Sequence, residues 1–181
     1  DDRLPMGDQD LVMARPNFKD DPVAHALFVT LTDTGARLSE ITGLEVQDVD
    51  LQERSITIRP NSIRTLKTKG SQRTLPLSQS ALEVLQEHRR GKGDTQPIFE
   101  DYARPRGRDA ASAMLMKRLR RSITDKKLTM HSLRHRMKDK LRNTGCPEAI
   151  SMAILGHSTN TVAANYGSGY ALEVMREALV K

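Results

Sequence analysis

The stretch HSLRHRMKDKLRN, residues 131–143, decides how this chain is read. It predicts a helix over 130–143, on which His131 and Arg134, three positions apart, project to the same side. An imidazole and a guanidinium placed that way can hold two oxygens of one phosphate. His131 and His135, four apart, also have the spacing of a zinc pair. The metalloprotease signature needs Glu at the second position, where this chain has Ser132, and no third ligand is evident. The zinc reading is therefore disfavoured, and His135 is read as a structural residue of the helix.

Downstream, NTGCPEA is a break and PEAISMAIL the next helix. Gly156 ends that helix and leaves His157 just past its terminus. Thr159–Tyr166 reads as a short helix or turn, and Gly167–Gly169 as a hinge. Residues 170–181 form a tail helix whose Leu172, Met175 and Leu179 recur at helical spacing. Upstream, residues 1–20 are an acidic lead-in, ill-defined or a short helix. Pro22, after Asp21, opens a helix that Thr34-Gly35 interrupts. ARLSEITGL then places Arg37 and Glu40 three apart on one face.

Between Val46 and Leu77 the pattern changes to short runs rich in β-branched residues, VQDVDL, SITIRP and RTLPLS. They predict a small antiparallel sheet, with KTKGSQ as a hairpin tip carrying Lys67 and Lys69. Ser78 caps a helix that Gly91 stops. YARPRGRD is a basic loop, and residues 110–122 form another helix. The fold class expected is α+β, mainly α-helical, with helices around a small antiparallel three-stranded sheet. Residues 1–181 are expected to form one domain: lead-in 1–20, sheet 46–77 and tail 170–181. The first residue is Asp1 rather than Met, so a trimmed piece of a longer protein is expected.

Charge is unevenly distributed. Residues 1–60 carry 6 basic and 12 acidic side chains, residues 61–142 carry 21 and 8, and residues 143–181 carry 2 and 3. The basic middle is an electrostatic footprint for a polyanion, although a solvated basic surface has the same count. Trp is absent and aromatics make up 3% of the chain, so a stacking platform for single strands is disfavoured against contact with a duplex backbone. No apolar run approaches a membrane span, and there is no secretory start. The single Cys146 rules out an internal disulfide and is compatible with a reducing cytosol.

Taken one at a time, the chemically interesting residues have ordinary explanations. Arg37 follows a Thr-Gly break, which suits an anion, but it is equally a surface partner of Glu40. A hairpin lysine can protonate a leaving oxygen, yet most are simply solvated. His157 alone is a cap or packing residue. A lone Tyr is usually structural, because a phenol with pKa near ~10 is a poor nucleophile unless cations surround it.

The joint order is more specific. TGARLSE, KTKGSQRTLPL, HSLRH and LGHS, followed by Tyr166 nine positions after His157, resemble the signature boxes of the tyrosine recombinase (phage integrase) catalytic domain. The resemblance covers nearly the whole chain. It implies that Arg37 and Arg134 bind the scissile phosphate, that His131 and His157 assist, and that Tyr166 is the nucleophile. Lys67 is implied as the hairpin lysine, with Lys69 as a competitor and Glu40 as support for Arg37. Tyr170 is a weaker rival to Tyr166. Arg64, Arg73, Arg104, Arg106 and Arg108 are expected to contact the DNA backbone. The activity implied is site-specific cutting and rejoining of duplex DNA through a 3′-phosphotyrosyl link, with no metal and no nucleotide cofactor. A type IB topoisomerase-like enzyme and a catalytically silent DNA-binding relative are the alternatives. The resemblance also implies a monomer in solution, a synaptic tetramer on DNA, an N-terminal DNA-binding domain absent from this chain, and a cytoplasmic, bacterial or phage-encoded protein acting at the nucleoid. The tail helix is expected either to fold back on its own domain or to dock on a neighbouring protomer.

Overall fold

The most deeply buried helix is rich in apolar residues. It is α2, Pro22–Thr34, and it buries Ala24, Ala26, Leu27, Phe28, Val29 and Leu31. A helix buried over most of its surface is stable only when other elements pack around it, and here His25, Thr32 and Asp33 stay partly exposed. Each fully buried Leu or Phe contributes about 1.5–3 kcal/mol. Its start is fixed by Asp21, whose carboxylate accepts from the N–H groups of Val23 (2.9 Å) and Ala24 (3.1 Å), with Pro22 in the first turn. The structure, a computed structural model, describes residues 2–66, 69–157 and 170–181, with Lys69 described through its backbone alone.

Around α2 lie α1 (Asp8–Ala14), α3 (Leu38–Thr42), α4 (Gln79–Arg89), α5 (Gly107–Leu119), α6 (Ser132–Asn143), α7 (Glu148–Leu155) and α8 (Leu172–Val180). Strands β1 (Val49–Asp50), β2 (Ser55–Ile58) and β3 (Arg73–Pro76) form an antiparallel sheet in that order. Ile56 faces Leu75 and Ile58 faces Arg73 across β2 and β3. Ile56, Ile58 and Leu75 point into the core, while Thr57 and Thr74 join hydroxyls at 3.1 Å on the other face. The expected α+β class, helices around a three-stranded antiparallel sheet, is the one observed.

Several local expectations need correction. Of the two readings of the lead-in, the short helix is the one observed, and it is built into the fold: α1 is followed by a 3₁₀ turn, Arg15–Phe18, and Met6, Ala14 and Phe18 are buried. Phe18 stacks on Phe28 with ring centroids 4.3 Å apart. These apolar residues are too widely spaced among acidic neighbours to give a periodic signal. The first strand does not begin at Val46. Asp48 turns its carboxylate back onto the Glu45 N–H (2.8 Å), and Val46–Asp48 closes into a 3₁₀ turn. KTKGSQ lies in the connection between the antiparallel neighbours β2 and β3, and that connection is longer than the segment itself, since β2 ends at Ile58 and β3 begins opposite it at Arg73; Lys67 and Thr68 lie outside the described residues. Near its start the connection is held to the end of α3 by Asn61, whose amide donates to Gly43 O at 2.8 Å. The helix expected over 110–122 starts earlier, at Gly107, where a Cβ would lie 1.9 Å from Tyr102 O.

The tail helix α8 packs on β3 of its own chain and buries Met175 and Ala178. Lys140 Nζ donates to Leu179 O at 2.5 Å, and Arg176 Nη2 donates to Glu53 O at 2.9 Å. The turn and hinge expected over 159–169 lie outside the described residues. Among the described residues, no helix is long and apolar enough to cross a membrane.

Candidate active site

The C-terminus of α7 organises the site. Gly156 follows the helix in the left-handed conformation (φ 72°), and the N–H groups of Gly156 and His157 both turn back to Met152 O. A helix end leaves its last carbonyls without intrahelical partners and carries partial negative charge. Here cations from distant segments fill that role. Arg73 Nε donates to Ile154 O at 2.8 Å, and Arg134 Nη2 donates to Leu155 O. Ser71 Oγ lies 3.4 Å from Gly156 O. Glycine is required at 156 for the positive φ and because a Cβ there would sit 2.5 Å from Arg73 Nη1.

Arg134 also reaches the opposite wall. Its Nη1 donates to Gly35 O at 3.0 Å, at the left-handed break (φ 70°) between α2 and α3. Two residues on, Arg37 occupies the N-cap of α3. Its backbone N–H donates to Glu40 Oε1 (2.8 Å), and its guanidinium Nη1 lies 3.5 Å from Glu40 Oε2 and donates to Ser71 Oγ at 3.3 Å. Arg37 and Arg134 therefore meet on the same small group of loops, although 97 positions separate them in sequence. Glu40 is only 2% exposed and is held from behind by Arg73, whose Nη1 and Nη2 donate to its two oxygens at 2.7 and 3.0 Å.

The charges are close enough to perturb one another. Burial lowers the Arg134 pKa to about 10, and Arg37 adds to the effect by repulsion. His157 falls to about 4, first through burial and then through Arg134 and Arg37. His131 also falls to about 4, through burial and then Arg3, His135, Arg134 and Arg37. For Glu40, burial favours the acid form, but the bonds and charge of Arg73, with help from Arg37, outweigh it and lower the pKa. Near neutral pH the site therefore holds guanidinium cations beside neutral imidazoles. Cations gathered against their own repulsion make a strong site for an anion, and Arg134 Nη1 and Nη2, which donate to Gly35 O and Leu155 O, each carry a second N–H.

His131 sits at the head of α6, half-buried, with its ring edge-on to His135 at 5.0 Å. The backbone of the lead-in fixes that end, since Met6 N–H donates to Ser132 O at 3.1 Å. The expected constellation is thus brought together in Arg37, His131, Arg134, His157 and Glu40. Lys67 and Tyr166 lie outside the described residues, as does the side chain of Lys69.

Two expected DNA contacts are placed elsewhere. Arg73 is buried, with its guanidinium turned inward onto Glu40, Ile154 O and Ser71 O. Arg64 is half-buried over Gly43 and donates to Arg59 O. Arg104, Arg106 and Arg108 are exposed. Sequence reasoning missed Ser71 and the inward role of Arg73. Strand alternation carried the second signal, since Arg73 shares a strand face with Leu75 and not with Thr74.

Comparison with known proteins bears on this geometry. Residues 9–171 match the description of the phage integrase family. The tyrosine recombinase XerD of Corynebacterium glutamicum is 30% identical over 148 residues, covering 78% of this chain and 46% of that protein. XerA of Pyrococcus furiosus is 25% identical over 136 residues, covering 74% and 46%. The chain spans about half the length of the curated relatives it matches. In fold, it is similar to the crystal structure of XerA recombinase (TM-score 0.68, 22% identity, 98% of this chain and 62% of that one). It is also similar to the Tn1549 transposon integrase in complex with transposon right end DNA (TM-score 0.69, 21% identity, 98% and 65%). With the match running through every segment that builds the arginine cluster, this chain belongs to the phage integrase family of tyrosine recombinases.

Proposed function

We propose that this chain is the catalytic domain of a site-specific DNA recombinase that cuts and rejoins duplex DNA through Tyr166. One observation carries the reading: Arg37 and Arg134 converge on the turn between α2 and α3 and the end of α7, beside His131 and His157. The Tyr166 oxygen attacks the scissile phosphorus in line, forming the phosphotyrosyl bond as the bond to the 5′-oxygen breaks. Neutral His131 takes the phenolic proton, and Lys67, or Lys69 beside it, returns a proton to the leaving 5′-oxygen. Arg37, Arg134 and the His157 N–H bind the non-bridging oxygens, where charge grows most in the transition state. Attack by a 5′-hydroxyl from another duplex reverses the step and rejoins the strands. The bond energy is retained in the phosphotyrosyl link, so the cycle as proposed needs neither nucleotide nor metal.

The DNA-bound integrase among the structural neighbours supports a duplex as partner. A monomer in solution, a tetramer across two sites, a binding domain outside this chain and a cytoplasmic location with action at the nucleoid belong to the same proposal.

The test uses nicked suicide duplexes selected by covalent capture from a randomised library with the wild-type protein. Tyr166→Phe is expected to abolish covalent product while retaining binding. Covalent product persisting in Tyr166→Phe would overturn the assignment and direct attention to Tyr170. Relaxation of supercoils without exchange between paired sites would favour the topoisomerase-like alternative.

A further inference from the structure

We propose that Arg73 is a positioning residue that neutralises Glu40, so that Arg37 and Arg134 keep their full charges for the reacting phosphate. The inference rests on the recombinase reading above and extends it to a residue that does not touch the substrate. Glu40 is needed to hold the Arg37 loop, because its Oε1 accepts the Arg37 N–H at 2.8 Å. Left alone, that carboxylate would cancel the charge it positions, since its Oε2 lies 3.5 Å from Arg37 Nη1. Arg73 prevents this by taking both carboxylate oxygens at 2.7 and 3.0 Å, closer than the 3.5 Å of the Arg37 guanidinium. A bidentate guanidinium is the strongest competitor available for a buried carboxylate.

The arithmetic of charge gives the pairing its purpose. The guanidinium groups of Arg37, Arg73 and Arg134, set against the Glu40 carboxylate, leave two net positive charges. A phosphodiester carries one negative charge. In the reaction written above, the phenolic proton has passed to His131 as the P–O bond forms, so the five-coordinate arrangement carries two. The proton taken by His131 adds a third positive charge there, so charge beside the phosphate grows in step with the charge on it, and the two positive charges that Arg73 preserves are in place before the reaction begins. The same guanidinium ties Glu40 to the His157 turn through Ile154 O at 2.8 Å and to the turn before β3 through Ser71 O at 2.5 Å.

The experiment compares wild type, R73Q, R73K and R73Q/E40Q. Gln at position 40 retains an oxygen for the Arg37 N–H, and Gln at position 73 retains a donor. On the captured duplex at saturating protein, R73Q is expected to slow covalent-complex formation by ~10–100-fold with the duplex Kd changed less than ~3-fold. The double variant is expected to recover roughly tenfold over R73Q, because removing the carboxylate restores the balance of charge. R73K, which keeps the charge, is expected to lie between wild type and R73Q. A purely structural role predicts the opposite order, with the double variant as slow as R73Q or slower. That result, or a wild-type rate in R73Q, would overturn the proposal.

A second arm needs no DNA. By NMR titration the His157 ring is expected to have a higher pKa in R73Q than in wild type, since a nearby positive charge is gone, and to return toward wild type in the double variant. No movement of His157 in any variant would also overturn the proposal. If R73Q fails to fold, the double variant is expected to fold, because it leaves no unpaired buried carboxylate; an unfolded double variant would count against neutralisation. Absence of covalent product from wild type on any duplex would sink the recombinase reading, whereas wild-type cleavage with R73Q unimpaired sinks only the role of Arg73.

Discussion

The arginine cluster and the loop that leads into α5 contain the same kind of residue in opposite circumstances. In the cluster, Arg73 and Arg134 are 9% and 6% exposed, and their donors are matched to carbonyls and a carboxylate of other segments. In the loop, Arg104, Arg106 and Arg108 are exposed, and the partners they have lie close by in sequence, Asp101 O for Arg104 and the Asp109 carboxylate for Arg108. Count and net charge do not distinguish the two sets. Burial does: a desolvated guanidinium must be matched by fixed acceptors, and fixed acceptors give it a fixed direction. A solvated one keeps its freedom and interacts with any phosphate that comes near, weakly and in a salt-dependent way.

The largest break in that contrast is expected from Arg134→Ala. Removing one fixed transition-state contact typically costs ~10²–10³ in rate. The same change leaves Gly35 O and Leu155 O without their donor, so urea unfolding is expected to show a loss of stability as well. A rate within threefold of wild type on the captured duplex would place the phosphate elsewhere.

Replacing Arg104, Arg106 and Arg108 together by Ala sharpens the contrast from the other side. Each lost phosphate contact is expected to flatten the slope of log K against log salt by about 1, with stability changed by no more than about 0.5 kcal/mol per site. An unchanged slope would show that this loop stays clear of the duplex.

The smallest effect is a pH dependence confined to the cluster. His131 and His157 have folded pKa values of about 4, below the ordinary histidine value of ~6.5. Between those values the unfolded chain holds more protons, so stability falls as pH drops from about 6.5 toward 4 and is fully present above that window. Urea unfolding across this range, compared with a His131→Gln/His157→Gln variant, isolates the contribution from the carboxylates that titrate nearby. An identical slope in both proteins would mean that neither imidazole is held neutral.

Much of this was legible in the chain because its signals are local. Pro22 after Asp21, Gly35, Ser78 and Gly156 punctuate helices at the positions where the structure starts or stops them. The three-residue spacing of His131 and Arg134 needs only a helix to become a face. The errors fall where a side chain answers to a distant partner. Asp48 folds back on Glu45 and bonds Arg59 (2.7 Å), removing residues from the expected first strand. Met6 and Phe18 enter the core from a stretch whose composition resembles a loop.

By itself the sequence determined which residues are chemically capable, in what order, and on which elements they sit, because caps, turns and periodicity act over a few neighbouring residues. Only the tertiary structure decided which arginines gather between the α2–α3 break and the end of α7 and which stay open to solvent. That choice depends on where the Glu40 carboxylate and the last carbonyls of α7 come to rest, and their place is set by burial across segments far apart in the chain.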